Sequence, residues 1–85
     1  MNKNEELNEL FGRKLRLLRM SRGLSQEELG HLSGLHRTYI GQIERAEKNI
    51  SLKNVGKIAK TFDLEVQELF NFSDIYKANI NKFKK

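Results

Sequence analysis

Two short, separately capped helical segments in the middle of the chain constrain its fold most strongly. Ser25-Gln26-Glu27-Glu28 matches a capping box. In such a box the serine hydroxyl takes an amide of the first turn, and the glutamate reaches back to the serine amide. The helix that starts there runs from about 26 to 33, with Leu29 and Leu32 inward, and stops at Gly34, a natural C-terminal residue. After Leu35, a second helix spans 36–45, with Ile40 and Ile43 inward. Two short helices joined by a glycine-containing turn make a helix-turn-helix.

The remainder is helical by the same reasoning. Proline is absent, no apolar/polar alternation appears, and Leu, Lys, Glu, Arg and Ala are plentiful. Leu7, Phe11, Leu15 and Leu18 make one apolar face over residues 5–22, with Arg13, Arg16, Arg19 and Arg22 toward its C-terminal half and Gly23 as its stop. Ser51 is a cap for a helix over 52–62, with Leu52, Val55, Ile58, Ala59 and Phe62 on one face. Leu64, Val66, Leu69 and Phe70 suit a short fifth helix, and Ser73 a last one with Tyr76, Ile80 and Phe83 on a stripe. The expected organisation is one domain over residues 1–85, with a core over about 7–71 and a C-terminal helix over about 73–83. A chain of 85 residues supports one modest core and leaves no room for a second, ligand-sensing domain.

Composition removes several classes of function. Without cysteine there is no disulfide, thiol nucleophile or Cys-ligated zinc. His31 and His36 lie five residues apart across a turn, a poor metal pair, so no metal is expected. No P-loop, Ser/His/Asp arrangement or Gly-rich nucleotide loop is present, so neither an enzyme nor a cofactor is expected, and no small-molecule ligand. The apolar runs are too short for a membrane span, and Met-Asn-Lys-Asn-Glu-Glu lacks a signal-peptide core. A cytoplasmic location is the expectation. The net charge of +5 is concentrated at the two ends of the chain and suits a polyanionic partner.

The strings Leu24-Ser-Gln-Glu-Glu-Leu29, Ser33-Gly-Leu-His-Arg-Thr-Tyr-Ile40 and Gln42-Ile-Glu-Arg45 resemble the Cro/C1-type, or XRE, family of helix-turn-helix regulators. Ser51-Leu52, Ile58-Ala59 and Glu68-Leu69-Phe70 extend the resemblance over roughly residues 7–71. Arg37-Thr-Tyr-Ile40, Ile43-Glu-Arg45 and Asn49-Ile-Ser-Leu52 look most like the controller proteins of restriction–modification systems. The resemblance implies an all-α fold: a compact five- to six-helix bundle with a helix-turn-helix, the lambda-repressor-like DNA-binding domain. It implies a homodimer on a palindromic double-stranded DNA operator that controls its own gene and an endonuclease gene. The alternative is a phage- or plasmid-type repressor, or an antitoxin that mainly holds a partner protein. In an activating mode, Glu27 or Glu47 would touch RNA polymerase. Two positions depart from the family pattern. Gly30 stands where alanine is usual and should soften its helix, and Glu65 stands where a Ser-type cap is usual.

In that fold the N-terminal part of the second helix of the motif enters the major groove. Arg37 then bridges guanine O6 and N7, Thr38 touches a thymine methyl or a phosphate, and Gln42, on the same face, reads adenine or a phosphate. Gly41 permits close approach to DNA and reads nothing. Gln26 offers its amide beside helix N-terminal N–H groups. Tyr39 presents its hydroxyl to a phosphate or packs at the core edge. His36 faces DNA or caps its helix. The resemblance places Lys48 and Asn49 at the DNA backbone, with Arg16 as a weaker candidate, and makes Arg19 and Glu44 an internal ion pair. Val66, Leu69 and Phe70 are the candidate dimer contacts.

Overall fold

A computed structural model describes residues 3–76 of the chain, and the elements among them are all helical. Four α-helices, α1 (Lys3–Ser21), α2 (Gln26–Ser33), α3 (Arg37–Glu44) and α4 (Leu52–Phe62), are followed by a 3₁₀ helix, Val66–Phe70. The boundaries follow local chemistry. Ser25 Oγ accepts the Glu28 amide at 3.0 Å, and Glu28 Oε1 accepts the Ser25 amide at 2.8 Å, which closes the capping box of α2. Gly34 ends α2 at φ 78°, a left-handed conformation that costs glycine little. Ser51 Oγ caps α4 through the Asn54 amide at 3.1 Å.

The short fifth helix that the sequence suggests is a 3₁₀ helix. Its N-cap position holds Glu65, which makes no side-chain capping bond, so the segment stays a tight five-residue turn. A further helical turn begins at residues 73–76. There Asn71 Oδ1, and not Ser73, takes the first free amide, that of Ser73, at 3.2 Å. Lys14, buried in α1, holds this turn through Asp74 at 3.1 Å, and Ile75 is buried beneath it. Ile80 and Phe83 of the expected stripe lie outside the described residues.

The core joins Phe11 and Leu15 of α1, Leu29 of α2, Ile40 and Ile43 of α3, and Val55, Ile58, Ala59 and Phe62 of α4. Each fully buried Val, Leu, Ile or Phe among them contributes roughly 1.5–3 kcal/mol. Three leucines expected inward are exposed instead: Leu7, Leu32 and Leu52, the last at 86%. Periodicity assigned them to apolar faces, but Leu52 is the first residue of α4, before the packed stripe that begins at Val55. In the short α2, Leu29 and Gly30 are buried, while Leu32 lies outside the packed side.

Two glycines set how closely the helices approach. A Cβ at Gly12 would lie 2.6 Å from the Ile43 carbonyl oxygen and 2.7 Å from that of Glu44, so α1 packs directly on the backbone of α3. A Cβ at Gly30 would lie 2.6 Å from the Leu35 carbonyl oxygen. The expected softening of α2 is therefore joined by a packing role, because glycine lets the turn close onto the helix. Gly12→Ala should cost about 1–3 kcal/mol of stability, read by urea unfolding, because both opposing atoms are backbone and cannot rotate away.

The Glu28 carboxylate lies below its usual pKa because it accepts the Ser25 backbone amide and interacts with the Ser25 hydroxyl. A depressed folded pKa means that the contact stabilises fully above the ordinary carboxylate value and is lost as pH falls through the folded value. Acid titration of Glu28→Gln, which keeps a capping acceptor, should show a shallower loss of stability below that ordinary range.

Candidate nucleic-acid interface

The α3 helix has one face in the core, through Ile40 and Ile43, and this directs the rest outward. Arg37 and Thr38 are exposed, and Tyr39 and Gln42 are half-buried. Thr38 and Gln42 share a face because four residues return a helix nearly to the same side. Gly41 is buried, with Arg45 Nη1 at 3.0 Å and Gln26 Oε1 at 3.3 Å from where its Cβ would stand. The space expected to admit DNA at Gly41 is thus taken by the protein's own side chains.

His36 is the N-cap of α3, its Nδ1 accepting the Thr38 amide at 3.0 Å. It lies with His31, Glu27 and Arg37 along an open groove beside the turn. Arg37 Nη1 pairs with Glu27 Oε2 across the motif, both side chains well exposed. Arg45 and Glu47 form a second exposed pair at 2.9 Å. Their mutual hydrogen bond raises the Arg45 pKa and lowers that of Glu47.

The motif is fixed to α1 by one carboxylate. Arg19 donates to Glu44 through Nε at 2.7 Å and Nη2 at 3.0 Å, and through Nη1 to the Leu24 carbonyl at 2.8 Å. Only 4% of the Glu44 side chain is exposed. The Glu44 hydrogen bond raises the Arg19 pKa further, against the desolvation of the guanidinium. Gln26 Nε2 donates to the same carboxylate at 3.1 Å, so the amide at the start of α2 is oriented from beneath.

Lys48 and Asn49 lie exposed in the loop after α3, as does Arg16 on α1. Ala46 takes φ 60° at the bend of that loop. Asn49 Oδ1 accepts from Asn8 Nδ2 of α1, and Tyr39 Oη accepts from Asn54 Nδ2 of α4 at 3.0 Å. Sequence reasoning missed Asn8 and Asn54, because their partners are 41 and 15 residues away with no local pattern between them.

The expected dimer contacts separate. Leu69 is buried in the core, because the 3₁₀ turn points it back at α1 and α4, and it offers no surface. Val66 and Phe70 are exposed on the same turn, and the Phe70 ring packs tilted against Phe11 with ring centroids 5.4 Å apart. No helix among the described residues is long and apolar enough to cross a membrane.

This arrangement of α2, turn and α3 coincides with a match to the helix-turn-helix family HTH_3 over residues 15–69. The chain belongs to this helix-turn-helix family. It is a DNA-binding regulator of transcription and not an enzyme. It is 45% identical over 67 residues to the control protein C.BamHI of Bacillus amyloliquefaciens, covering 78% of this chain and 83% of that protein. It is 41% identical over 64 residues to the control protein C.SmaI of Serratia marcescens, covering 75% and 76% of the two chains. The crystal structure of the restriction–modification controller protein C.AhdI from Aeromonas hydrophila matches with a TM-score of 0.70 and 50% identity, covering 73% of this chain and 94% of that one.

Replacing Arg19 with alanine leaves the Glu44 carboxylate buried without its main partner. Such losses cost about 3–5 kcal/mol. Thermal and urea unfolding of Arg19→Ala should show a fall of that size, and a change under 1 kcal/mol would remove Glu44 as the anchor of the motif.

Proposed function

We propose that the protein is the controller of a restriction–modification system, binding a palindromic operator as a homodimer and setting transcription of its own gene and of an endonuclease gene. The observation that carries this reading is the outward face of α3, where Arg37, Thr38 and Gln42 stand opposite the buried Ile40 and Ile43. Its likeness to controller proteins along most of their length supports the role.

In this reading α3 lies in the major groove. Arg37 exchanges Glu27 for the O6/N7 edge of guanine, and Thr38 and Gln42 read neighbouring base edges. Gln26, Tyr39, Lys48 and Asn49 hold phosphates on either side, with the outward imidazole of His36 beside them. Arg19 is spent on Glu44 and adds nothing to the DNA face. Dimerisation sets two recognition helices about one helical turn apart. Exposed Val66 and Phe70, with Leu52, supply apolar surface for that contact. The protein would act in the cytoplasm, at the nucleoid. A contact with RNA polymerase through Glu27 or Glu47 would first have to release Arg37 or Arg45, and site-specific crosslinking at those two positions tests it.

Selection from a random duplex pool should enrich a two-fold symmetric site. With Arg37→Ala, preference should vanish at one position per half-site while weak binding persists, a loss of about 1–3 kcal/mol. Enrichment of nothing above salt-sensitive background would turn the search to a protein partner.

A further inference from the structure

Phosphate oxygens only accept hydrogen bonds. A hydroxyl, an amide or an imidazole can both donate and accept, so its value at a DNA backbone depends on which function is left free. Tyr39 illustrates the point. Its hydroxyl oxygen receives Asn54 Nδ2 at 3.0 Å, in a part-buried contact between α3 and α4. With one lone pair taken by an internal donor, the phenolic proton stays available to an acceptor outside the protein. Asn54 is itself well fixed: its backbone amide is held by Ser51 Oγ, and its neighbour Val55 is buried in the core.

We propose that Asn54 is a positioning residue for DNA binding, filling the acceptor side of the Tyr39 hydroxyl so that its proton is kept for a phosphate. This rests on the reading above that Tyr39 meets the DNA backbone. The same sorting recurs at two more side chains of the face. The Thr38 amide fills Nδ1 of His36, so the neutral ring carries its proton on Nε2 and has a donor to offer. Asn8 fills Oδ1 of Asn49, leaving that side chain its NH₂ group. Three elements, α1, α3 and α4, thus supply internal donors to the face. The result is a donor-rich surface built largely from uncharged residues, which adds phosphate affinity without adding net charge.

A double-mutant cycle tests this directly. The probe is a short duplex of random sequence, since backbone contacts do not depend on sequence, and melting temperatures are taken alongside. Asn54→Asp replaces the donor with an acceptor that takes the tyrosine proton for itself. Binding should weaken about tenfold or more with Tyr39 present, as expected for losing a hydrogen bond to a charged group plus adding a like charge. In the Tyr39→Phe background the loss should shrink to the effect of charge alone. Asn54→Leu, which removes the donor without adding charge, should weaken binding only a few-fold with Tyr39 present and not at all in the Tyr39→Phe background.

The outcomes separate the two ideas. If Tyr39→Phe binds as wild type does, the placement of Tyr39 at a phosphate is wrong. If Tyr39→Phe weakens binding but Asn54→Asp and Asn54→Leu cost the same factor in both backgrounds, Asn54 does not act through the hydroxyl and the proposal is overturned. Should Asn54→Asp fail to fold, the Asn54→Leu cycle decides by itself.

Discussion

The Glu44 carboxylate is the junction on which the presentation of the recognition face depends. It sits at the last position of α3, almost wholly shielded from solvent, and receives Arg19 from α1 and Gln26 from α2. An unpaired carboxylate there would be expensive, so the three helices are held in the one arrangement that satisfies it. The third arm of Arg19 reaches the Leu24 carbonyl, in the link between α1 and α2, and fixes that as well. Hydrophobic contacts between α1 and α3 would tolerate small rotations. A guanidinium with two donors on one carboxylate does not, because its fork is planar and directional. The orientation of α3, and therefore of Arg37 and Gln42, follows from a charge pair that is itself largely buried.

Close backbone packing makes this junction reachable. Gly12 lets α1 approach the carbonyls of Ile43 and Glu44, the same stretch of α3 that carries the carboxylate. A bulkier residue would hold the helices apart and lengthen the Arg19–Glu44 contact. Gly41 does the corresponding service between α3 and Gln26, whose amide oxygen occupies the space a side chain would fill. Glycines at these positions thus set the distances over which the polar junction works.

The features legible in the sequence were those with a local cause. Ser25, Glu28 and Gly34 act within one turn of their own helix, so the limits of α2 could be read directly. The faces carrying Phe11, Leu15, Ile40 and Ile43 were visible for the same reason. Periodicity says which residues share a side but not whether a neighbour covers that side, so it points Leu32 and Leu52 inward where the fold exposes them, and leaves Leu69 free for a surface role where the fold buries it. Arg19–Glu44 came through resemblance and not spacing. The bonds from Asn8 to Asn49 and from Asn54 to Tyr39 join elements that only the tertiary fold brings together, and no periodic or capping signal marks them.

The acidic residues near the recognition helix pose a question that charge alone would answer wrongly. Glu27 and Glu47 should repel a polyanion, yet each lies against an arginine that could otherwise grip phosphates. Exposed pairs of this kind stabilise a fold by only about 0–1 kcal/mol, so structural need does not account for them. In the proposed binding mode their effect would fall on DNA binding. While paired, Arg37 would offer less charge to an arbitrary phosphate. A guanine edge that engages the guanidinium bidentately returns about 1–3 kcal/mol, more than the pair it replaces. In the binding mode proposed above, the exchange would favour the right base over an arbitrary contact. A face whose arginines are lightly occupied would then gain selectivity from the difference.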